Sequence, residues 1–520
     1  GALSRIGLET FVDPRLEGAK VNEAAREDLV ELLTLNGEET LYFTGFPINI
    51  ALIRGTTADA EGNVSLEKES LSLENLSLAL AARNSGGIVI CQVERIAQLN
   101  TIDARQVRIP GILVDCIIVA EPEYHMQNYD EQYNPGLSGE IRVPLEEMIP
   151  LPFDEKKVVL RRASMELTPH AVVNLGVGLA AGVGNVANEE KMADQIMLTV
   201  DPGIFGGVPL AGYGFGAALN YTASIDHASQ FDFIDGGGLD FACLGFAECD
   251  GSGNVNASRF SGRITGCGGF INISQRSKKV VFVSTFSSGG LQTRIEDGKL
   301  FIDKEGKYKK FVESVGQVTF SGKRAGREGR SVLYVTERCV FALREDGLEL
   351  TEVAPGVDLQ KDILDLLPFK PIVDDPKPMP VALFHPESMG LRECIFDIRI
   401  EDRISYTPQT NTLFLDFAGM RVNSREDVDR IKVAVEAVLK PLDRRVVAIV
   451  NYDSFWVNPD ISEQYMELVR HIESSYYLKV SRYTTNGFMR IKLSRGLDER
   501  NITSKVMKNY VEATASLKRE

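Results

Sequence analysis

Asp201 stands where an α/β protein places its chemistry. In Met197-Leu-Thr-Val-Asp201-Pro-Gly203-Ile-Phe-Gly206-Gly207-Val-Pro209 a carboxylate ends an apolar run and precedes a Pro-Gly turn. That position exposes a side chain at the carboxyl edge of a sheet. A carboxylate there can serve as a nucleophile or a general base. Alternatively Asp201 only caps the turn, because Asp is a good turn former. Glu337, in Tyr334-Val-Thr-Glu337-Arg338-Cys-Val-Phe341, is a rival on chemistry alone, with a structural ion pair as its other reading.

Glycine clusters surround this candidate. Asn174-Leu-Gly176-Val-Gly178-Leu-Ala-Ala-Gly182 follows an apolar strand and opens a helix, a place that favours anions. It only partly imitates a dinucleotide fingerprint, since its third Gly is out of place. Asp235-Gly236-Gly237-Gly238 and Thr265-Gly266-Cys267-Gly268-Gly269-Phe270-Ile-Asn272 can form N–H nests for a phosphate or oxyanion, or plain tight turns. Between them, Asp250-Gly-Ser-Gly-Asn254-Val-Asn256-Ala-Ser258 resembles the turn at 59–64. Lys309-Lys310, Lys323-Arg324, Arg327 and Arg330 are basic islands, read as a solvated loop or as an attraction for phosphate.

These groups need a scaffold. At about 150 residues per domain, 520 residues allow three to four domains. Glu27–Leu33 has helical spacing, Thr40–Phe43 and Ile48–Ile53 read as strands, Asp59–Asn63 as a turn, and Gly87–Val93 and Gly111–Ala120 as strands. The Pro-rich stretch 121–154 reads as a connection, Lys157–Ala171 as a helix ending near Pro169, and Ala171–Gly176 as the start of a second α/β unit. A further linker is expected over Pro368–Pro380. Beyond it, Asn411–Phe417 and Arg445–Val450 read as strands. The helix opened by Ser424-Arg-Glu-Asp427 and the helix Ile461–Ile472 complete a βαβα tail. Over 26–120, short apolar runs of both kinds indicate an α/β sheet covered on both faces.

Composition narrows the function classes. The chain is 44% hydrophobic and 25% charged, with a net charge of −16, which argues against a non-specific nucleic-acid binder. Residues 391–520 hold 21 basic and 19 acidic residues, against 36 and 54 in 1–390, so a module boundary is expected near 390. Seven scattered Cys read as reduced cytoplasmic thiols, and five His show no ligand spacing, so no metal is expected. No apolar run is long enough for a membrane span. The start, Gly1-Ala-Leu-Ser, has no initiator Met or signal-peptide pattern and reads as lying inside a longer gene product.

Taken in order, several segments resemble family I CoA-transferases, in particular the propionate and acetate CoA-transferase branch. They are Gly7–Arg15, Ala51-Leu-Ile-Arg-Gly-Thr-Thr-Ala-Asp59, Pro110–Asp115, Gln132–Pro135, Ser138–Pro144, Gln230-Phe-Asp-Phe233, Gly266–Asn272 and Tyr334–Phe341. The resemblance covers about 1–390. It implies two tandem related α/β CoA-transferase domains, the first incomplete (1–155) and the second carrying the active site (156–375). A small C-terminal α/β module of unknown role (391–520) follows.

The family nucleophile is a Glu in Val-Glu-x-Gly, matched here by Val200-Asp201-Pro202-Gly203. Asp201 is therefore the implied catalytic residue. Gly176, Gly178, Asn256, Gly266, Gly268 and Gly269 are the implied CoA and oxyanion sites. Ala180 stands where the family's glycine loop usually has Pro, and Glu337 matches a non-catalytic segment. No permanently bound cofactor is implied. CoA is a substrate, alongside acyl-CoA and short-chain carboxylates such as acetate, propionate or 3-keto acids. A cytoplasmic homo-oligomer without nucleic-acid or membrane partners is also implied. The Asp-for-Glu change keeps two alternatives open: a thioester hydrolase, and a non-catalytic CoA-binding or assembly protein.

Overall fold

Asn36-Gly37 sits between two alternating runs, and both residues take positive φ (52° and 84°), as a tight hairpin turn requires. The structure, a computed structural model, describes residues 1–520 apart from 130, 145–149, 211, 261, 397–398, 499–504 and 519–520. The hairpin joins β2 (Val30–Leu35) to β3 (Glu38–Phe43), with β1 (Ala2–Ser4) on the other side of β3. The helix expected over Glu27–Leu33 is thus a strand. Its apolar spacing fits both periods, and the Asn-Gly turn decides between them.

The chain divides into two units: Gly1–Leu167 with Ala171–Gly390, and Thr168–His170 with Leu391–Glu520. In the first, β4 (Ile50–Arg54), α1 (Asn75–Asn84), β5 (Ile88–Val93) and β6 (Cys116–Val119) form a parallel sheet ordered β6-β5-β4. The strand expected over Gly111–Ala120 begins instead with a 3-10 turn at Gly111–Leu113. One sheet face is sealed by Ala79 and Ala82 of α1 against Ala51, Ile53, Val89 and Cys91. The other face, expected from the apolar runs to be covered as well, is open, because no helix of the described residues packs on it: Ile50, Leu52, Ile88 and Ile118 are each at least half exposed.

Of the Pro-rich stretch 121–154, residues 130 and 145–149 lie outside the described residues. A helix follows at α2 (Glu155–Ser164), capped by Asp154, which accepts from Lys156 N and Lys157 N at 3.0 Å. It starts two residues earlier and ends sooner than the helix expected from the sequence.

The larger sheet is built from β7 (Val172–Leu175), α3 (Gly182–Glu189), β8 (Met197–Val200), β9 (Ile204–Phe205), β10 (Ala223–Ser224), α4 (His227–Asp235), β11 (Phe241–Gly245), α5 (Phe270–Arg276), β12 (Lys279–Val283), α6 (Gly322–Arg327), β13 (Ser331–Val335), β14 (Cys339–Arg344), β15 (Gly347–Val353) and β16 (Ile372–Pro378). Its strand order is β10-β9-β8-β7-β11-β12-β13-β14-β15-β16, with β8, β7, β11, β12 and β13 parallel. The chain steps from β7 out to β8 and then returns to β11 on the other side. That reversal opens a crevice at the carboxyl ends of β7 and β11.

The linker expected over Pro368–Pro380 is largely β16, paired in parallel with β15. Prolines are tolerated there because an edge strand has one side without ladder bonds. The chain just beyond is held too: Arg161 of α2 donates to the carbonyls of His385, Pro386 and Glu387.

One local device occurs twice. Asp59 Oδ1 accepts from Glu61 N and Asn63 N, and Asn63 Oδ1 accepts from Gly111 N at 2.9 Å. Asp250 Oδ1 likewise accepts from Ser252 N and Asn254 N, and Asn254 Oδ1 accepts from Gly322 N at 3.0 Å. The turn follows β4 in one half and β11 in the other, so β4-β5-β6 correspond to β11-β12-β13. In the second half the counterparts of Ile50 and Leu52, Phe241 and Cys243, are buried. There α2 packs on β12 and β13, and β7 extends the sheet beyond β11.

The second unit holds a five-stranded sheet in chain order: β17 (Ile404–Thr407), β18 (Thr412–Asp416), β19 (Val446–Asn451), β20 (Tyr477–Tyr483) and β21 (Val506–Met507). Its helices are α7 (Arg425–Leu439), α8 (Ser462–Tyr476), α9 (Gly487–Asp498) and α10 (Tyr510–Lys518). The capping box opening α7 is present, with Ser424 and Asp427 bonded reciprocally. The βαβα tail is therefore longer than expected, with strands added at both ends.

Candidate active site

Asp201 directly follows β8, and its surroundings are fixed by backbone. Gly203 N donates to Val200 O at 3.1 Å, and Gly203 O accepts from Ile225 N at 2.9 Å. Gly203 has φ +118°, and a Cβ there would lie 2.0 Å from Ile225 O, so only glycine fits. Asn174, near the end of β7, donates its amide to Asp201 Oδ1 at 2.7 Å. The other carboxylate oxygen faces α5: a Cβ on Gly269 would stand 3.0 Å from Asp201 Oδ2 and 2.8 Å from Phe231 Cζ. Burial pushes the Asp201 carboxyl above its usual range, against the opposing pull of the Asn174 amide and the His227 ring.

The structure thus joins Asp201 to Gly269, two residues far apart in sequence. Gly266 (φ +78°) and Gly268 (φ +48°) lie in the same turn, with no atom within 4 Å of where a Cβ would be. Their backbone has room for a ligand. Gly178 is also at positive φ and open, while Gly176 packs closely on Leu244. Gly236–Gly238 only end α4, with Gly237 N donating to Ile234 O and Gly238 N to Phe233 O. Asn256 is fully buried and its groups are used locally. It donates to Glu248 at 2.7 Å and accepts from Ser258 N and Arg259 N at 3.1 Å. It shapes the 256–259 loop and does not face open space. Glu337 is sealed in, bonded to Arg338 Nε and Phe286 N, both at 2.8 Å, as the ion-pair reading requires.

An open cleft of about 1190 Å³ occupies the crevice at the strand ends. Gly176 and Val177 border it beyond β7, Gly245 and Phe246 beyond β11, and Ser284 and Thr285 beyond β12. Lys156, Lys307, Lys309 and Lys310 stand along it, and Phe270, next to Gly269, forms part of its wall. Burial pulls the Lys310 ammonium below its usual range. Cations beside apolar side chains suit a ligand with phosphates and an apolar stem.

A strand-end carboxylate next to a glycine turn, with a cationic cleft one residue away, suits covalent or acid–base chemistry on a phosphate-bearing ligand. Comparison with known proteins gives the family. Residues 1–120 match the family model described as Coenzyme A transferase. The caffeate CoA-transferase of Acetobacterium woodii is 48% identical over 398 residues, 75% of this chain and 76% of that protein. The acetate CoA-transferase YdiF of Escherichia coli K12 is 46% identical over 391 residues, 75% of this chain and 73% of that protein. A crystal structure of the E. coli O157:H7 acyl-CoA transferase YdiF, a thioester complex with CoA, superposes with a TM-score of 0.70 at 45% identity, covering 75% of this chain and 73% of that one. The chain belongs to the CoA-transferase family. No helix among the described residues is long and apolar enough to cross a membrane.

Several site residues escaped the sequence reading. Asn174 was legible as a polar residue in an apolar strand. Lys309-Lys310 stands out in the sequence as a basic pair, but only the fold sets Lys156 and Lys307 beside it. His227 and Glu74 lie far apart in sequence and meet at 2.9 Å, which no spacing could show.

Proposed function

We propose that the chain moves CoA between carboxylic acids through a covalent thioester on Asp201. A carboxylate oxygen of Asp201 attacks the acyl-CoA carbonyl carbon, the C–S bond breaks, and CoA leaves as thiolate with an aspartyl-acyl anhydride left behind. The thiolate then attacks the Asp201 carbonyl carbon and expels the acyl group as a carboxylate. An incoming carboxylate runs the sequence backwards, giving ping-pong kinetics. The observation that carries this reading is the placing of Asp201 against the Gly269 backbone, one residue from the lysine-lined cleft.

In this reading Gly266, Gly268 and Gly269 supply the oxyanion site by their backbone, and Gly176 and Gly178 border the CoA path. Asn256 acts indirectly, by holding the loop that carries Ala257 and Arg259. The lysines meet the phosphates of CoA. Acetate and propionate are the proposed acids, with 3-keto acids and aryl acids such as caffeate as further acceptors; the relatives' names support acetate and caffeate. CoA is a substrate and no resident cofactor is invoked. We assign the work to two halves, 1–155 and 156–375, with 391–520 as a separate appendage, in a cytoplasmic homo-oligomer. Seven unpaired cysteines and the open apolar face of β4–β6 support the last two points.

Aspartate reaches roughly 1.5 Å less far than glutamate, and a misplacement near 1 Å can cost about a hundredfold. That favours hydrolysis as the second reading, with Asp201 as base for a water in the gap. Mixing the chain with acetyl-CoA or propionyl-CoA and weighing it intact separates the two. Transfer gives a CoA adduct on the Asp201 peptide that added acetate discharges. Free CoA without an adduct or an acceptor means hydrolysis. Neither signal overturns both.

The nucleophile must be ionised, and its pKa is raised by burial. Adduct formation should therefore rise with pH through that raised value. Asn174→Leu removes a hydrogen bond that favours the charged form, so the rising limb should move to higher pH. A pH–rate profile of the two proteins checks this, and an unmoved limb would mean that Asn174 does not tune Asp201.

A further inference from the structure

His227 is the first residue of α4, and its position is doubly fixed. Its backbone N donates to Leu73 O at 3.1 Å, and its ring Nδ1 lies 2.9 Å from Glu74 Oε2. Leu73 and Glu74 come from the first half of the unit, at the start of α1. The Gly203–Ile225 bond ties the residues just before α4 to the turn that follows Asp201. The imidazole also meets the Phe231 ring edge-on at 5.0 Å, and that ring and Asp201 Oδ2 both border Gly269. His227 therefore stands one aromatic ring from the nucleophile. The steps proposed above give it no task.

We propose that His227, held by Glu74, is the group that recognises the carboxylate of the acceptor acid. This rests on the CoA-transfer reading. Asp201 is an anion in the free enzyme and a neutral ester in the CoA-loaded enzyme, so loading removes one negative charge beside His227. An acceptor carboxylate can then take its place. With Glu74 bonded at Nδ1, the Nε2 of the doubly protonated ring is left as a donor for a second carboxylate. In the unloaded enzyme Asp201 repels the same anion. The arrangement admits the acceptor in the order that ping-pong transfer demands, and it restricts acceptors to anionic acids.

The test separates the two half-reactions in the full chain. Loading is followed as the CoA adduct formed from acetyl-CoA, and unloading as discharge of that adduct by increasing acetate. His227→Gln should raise the acetate concentration for half-maximal discharge by about 10- to 100-fold, the loss of one charge-assisted hydrogen bond. Loading and its acetyl-CoA dependence, measured above the rising limb where Asp201 is ionised in either protein, should change less than about threefold. Glu74→Gln should show the same one-sided effect, in smaller measure. A purely structural role would slow loading and unloading alike, and that result overturns the proposal. So does an unchanged acetate dependence in an enzyme that still loads. If the unaltered chain forms no adduct, the CoA-transfer reading falls, and this inference with it.

Discussion

Changing Asp201 to Ala should abolish the CoA adduct and lower CoA transfer by about four orders of magnitude or more, while leaving the protein at least as stable as before. The first part follows from covalent catalysis: removal of an attacking group leaves only what binding and the oxyanion donors provide, and such losses run to about 10⁶ elsewhere. The second follows from the surroundings of Asp201. Its carboxyl is pushed toward the neutral form by burial, and no salt bridge to it is present among the described residues. Loss of a carboxylate that burial disfavours costs little or relieves strain. A thermal melt of Asp201→Ala beside its turnover separates lost chemistry from lost fold. Asp201→Asn, of nearly the same shape and still able to accept from Asn174, should be as inactive. Residual turnover above about one per cent of the unaltered rate would mean that another group attacks.

Gly203→Ala should be the most damaging of the glycine substitutions near the site. Its φ of +118° is one that a side chain rarely adopts, and the new Cβ would sit 2.0 Å from Ile225 O. The obstacle is backbone, so it cannot swing aside. Unfavourable φ costs about 1–2 kcal/mol and overpacking about 1–3 kcal/mol, which together give a loss near 3 kcal/mol, measurable as a shift in denaturation midpoint. Activity should suffer further, because relief of the clash displaces the 225–227 segment or the turn bearing Asp201, and about 1 Å of misplacement costs on the order of a hundredfold. Gly268→Ala is the contrast. It also has positive φ, yet nothing lies within 4 Å of the new atom, so its stability loss should stay near 1 kcal/mol. Equal melting behaviour of the two variants would contradict this account of Gly203.

Much of this site was legible because strand ends announce themselves. Val200-Asp201-Pro202-Gly203 joins an apolar run to residues that cannot continue it, so the carboxylate's place at a sheet edge followed from the sequence. Gly266–Gly269 marked a special backbone, but not which side chain it would face. That depends on β7, β8 and β11 being neighbours, a long-range fact. Where local signals conflict, the pattern alone does not decide the element. Glu27–Leu33 fits a helix until Asn36-Gly37 is given its due as a hairpin turn, and the prolines of 368–380 suggested a linker although an edge strand accepts them. Asn256 was placed at the ligand by resemblance, and the fold spends it on its own loop.

The matched halves also differ in how firmly they are held. β11 is paired on both sides and buried on both faces, whereas β4 is paired, among the described residues, only with β5 and leaves Ile50 and Leu52 exposed in the lone chain. Backbone hydrogen bonds open locally where burial is thin and only with the whole fold where it is deep. The same strand, made twice, thus marks the weak and the strong end of local stability in the lone chain: β4 frays first unless a partner covers it, and β11 lets go only when everything does.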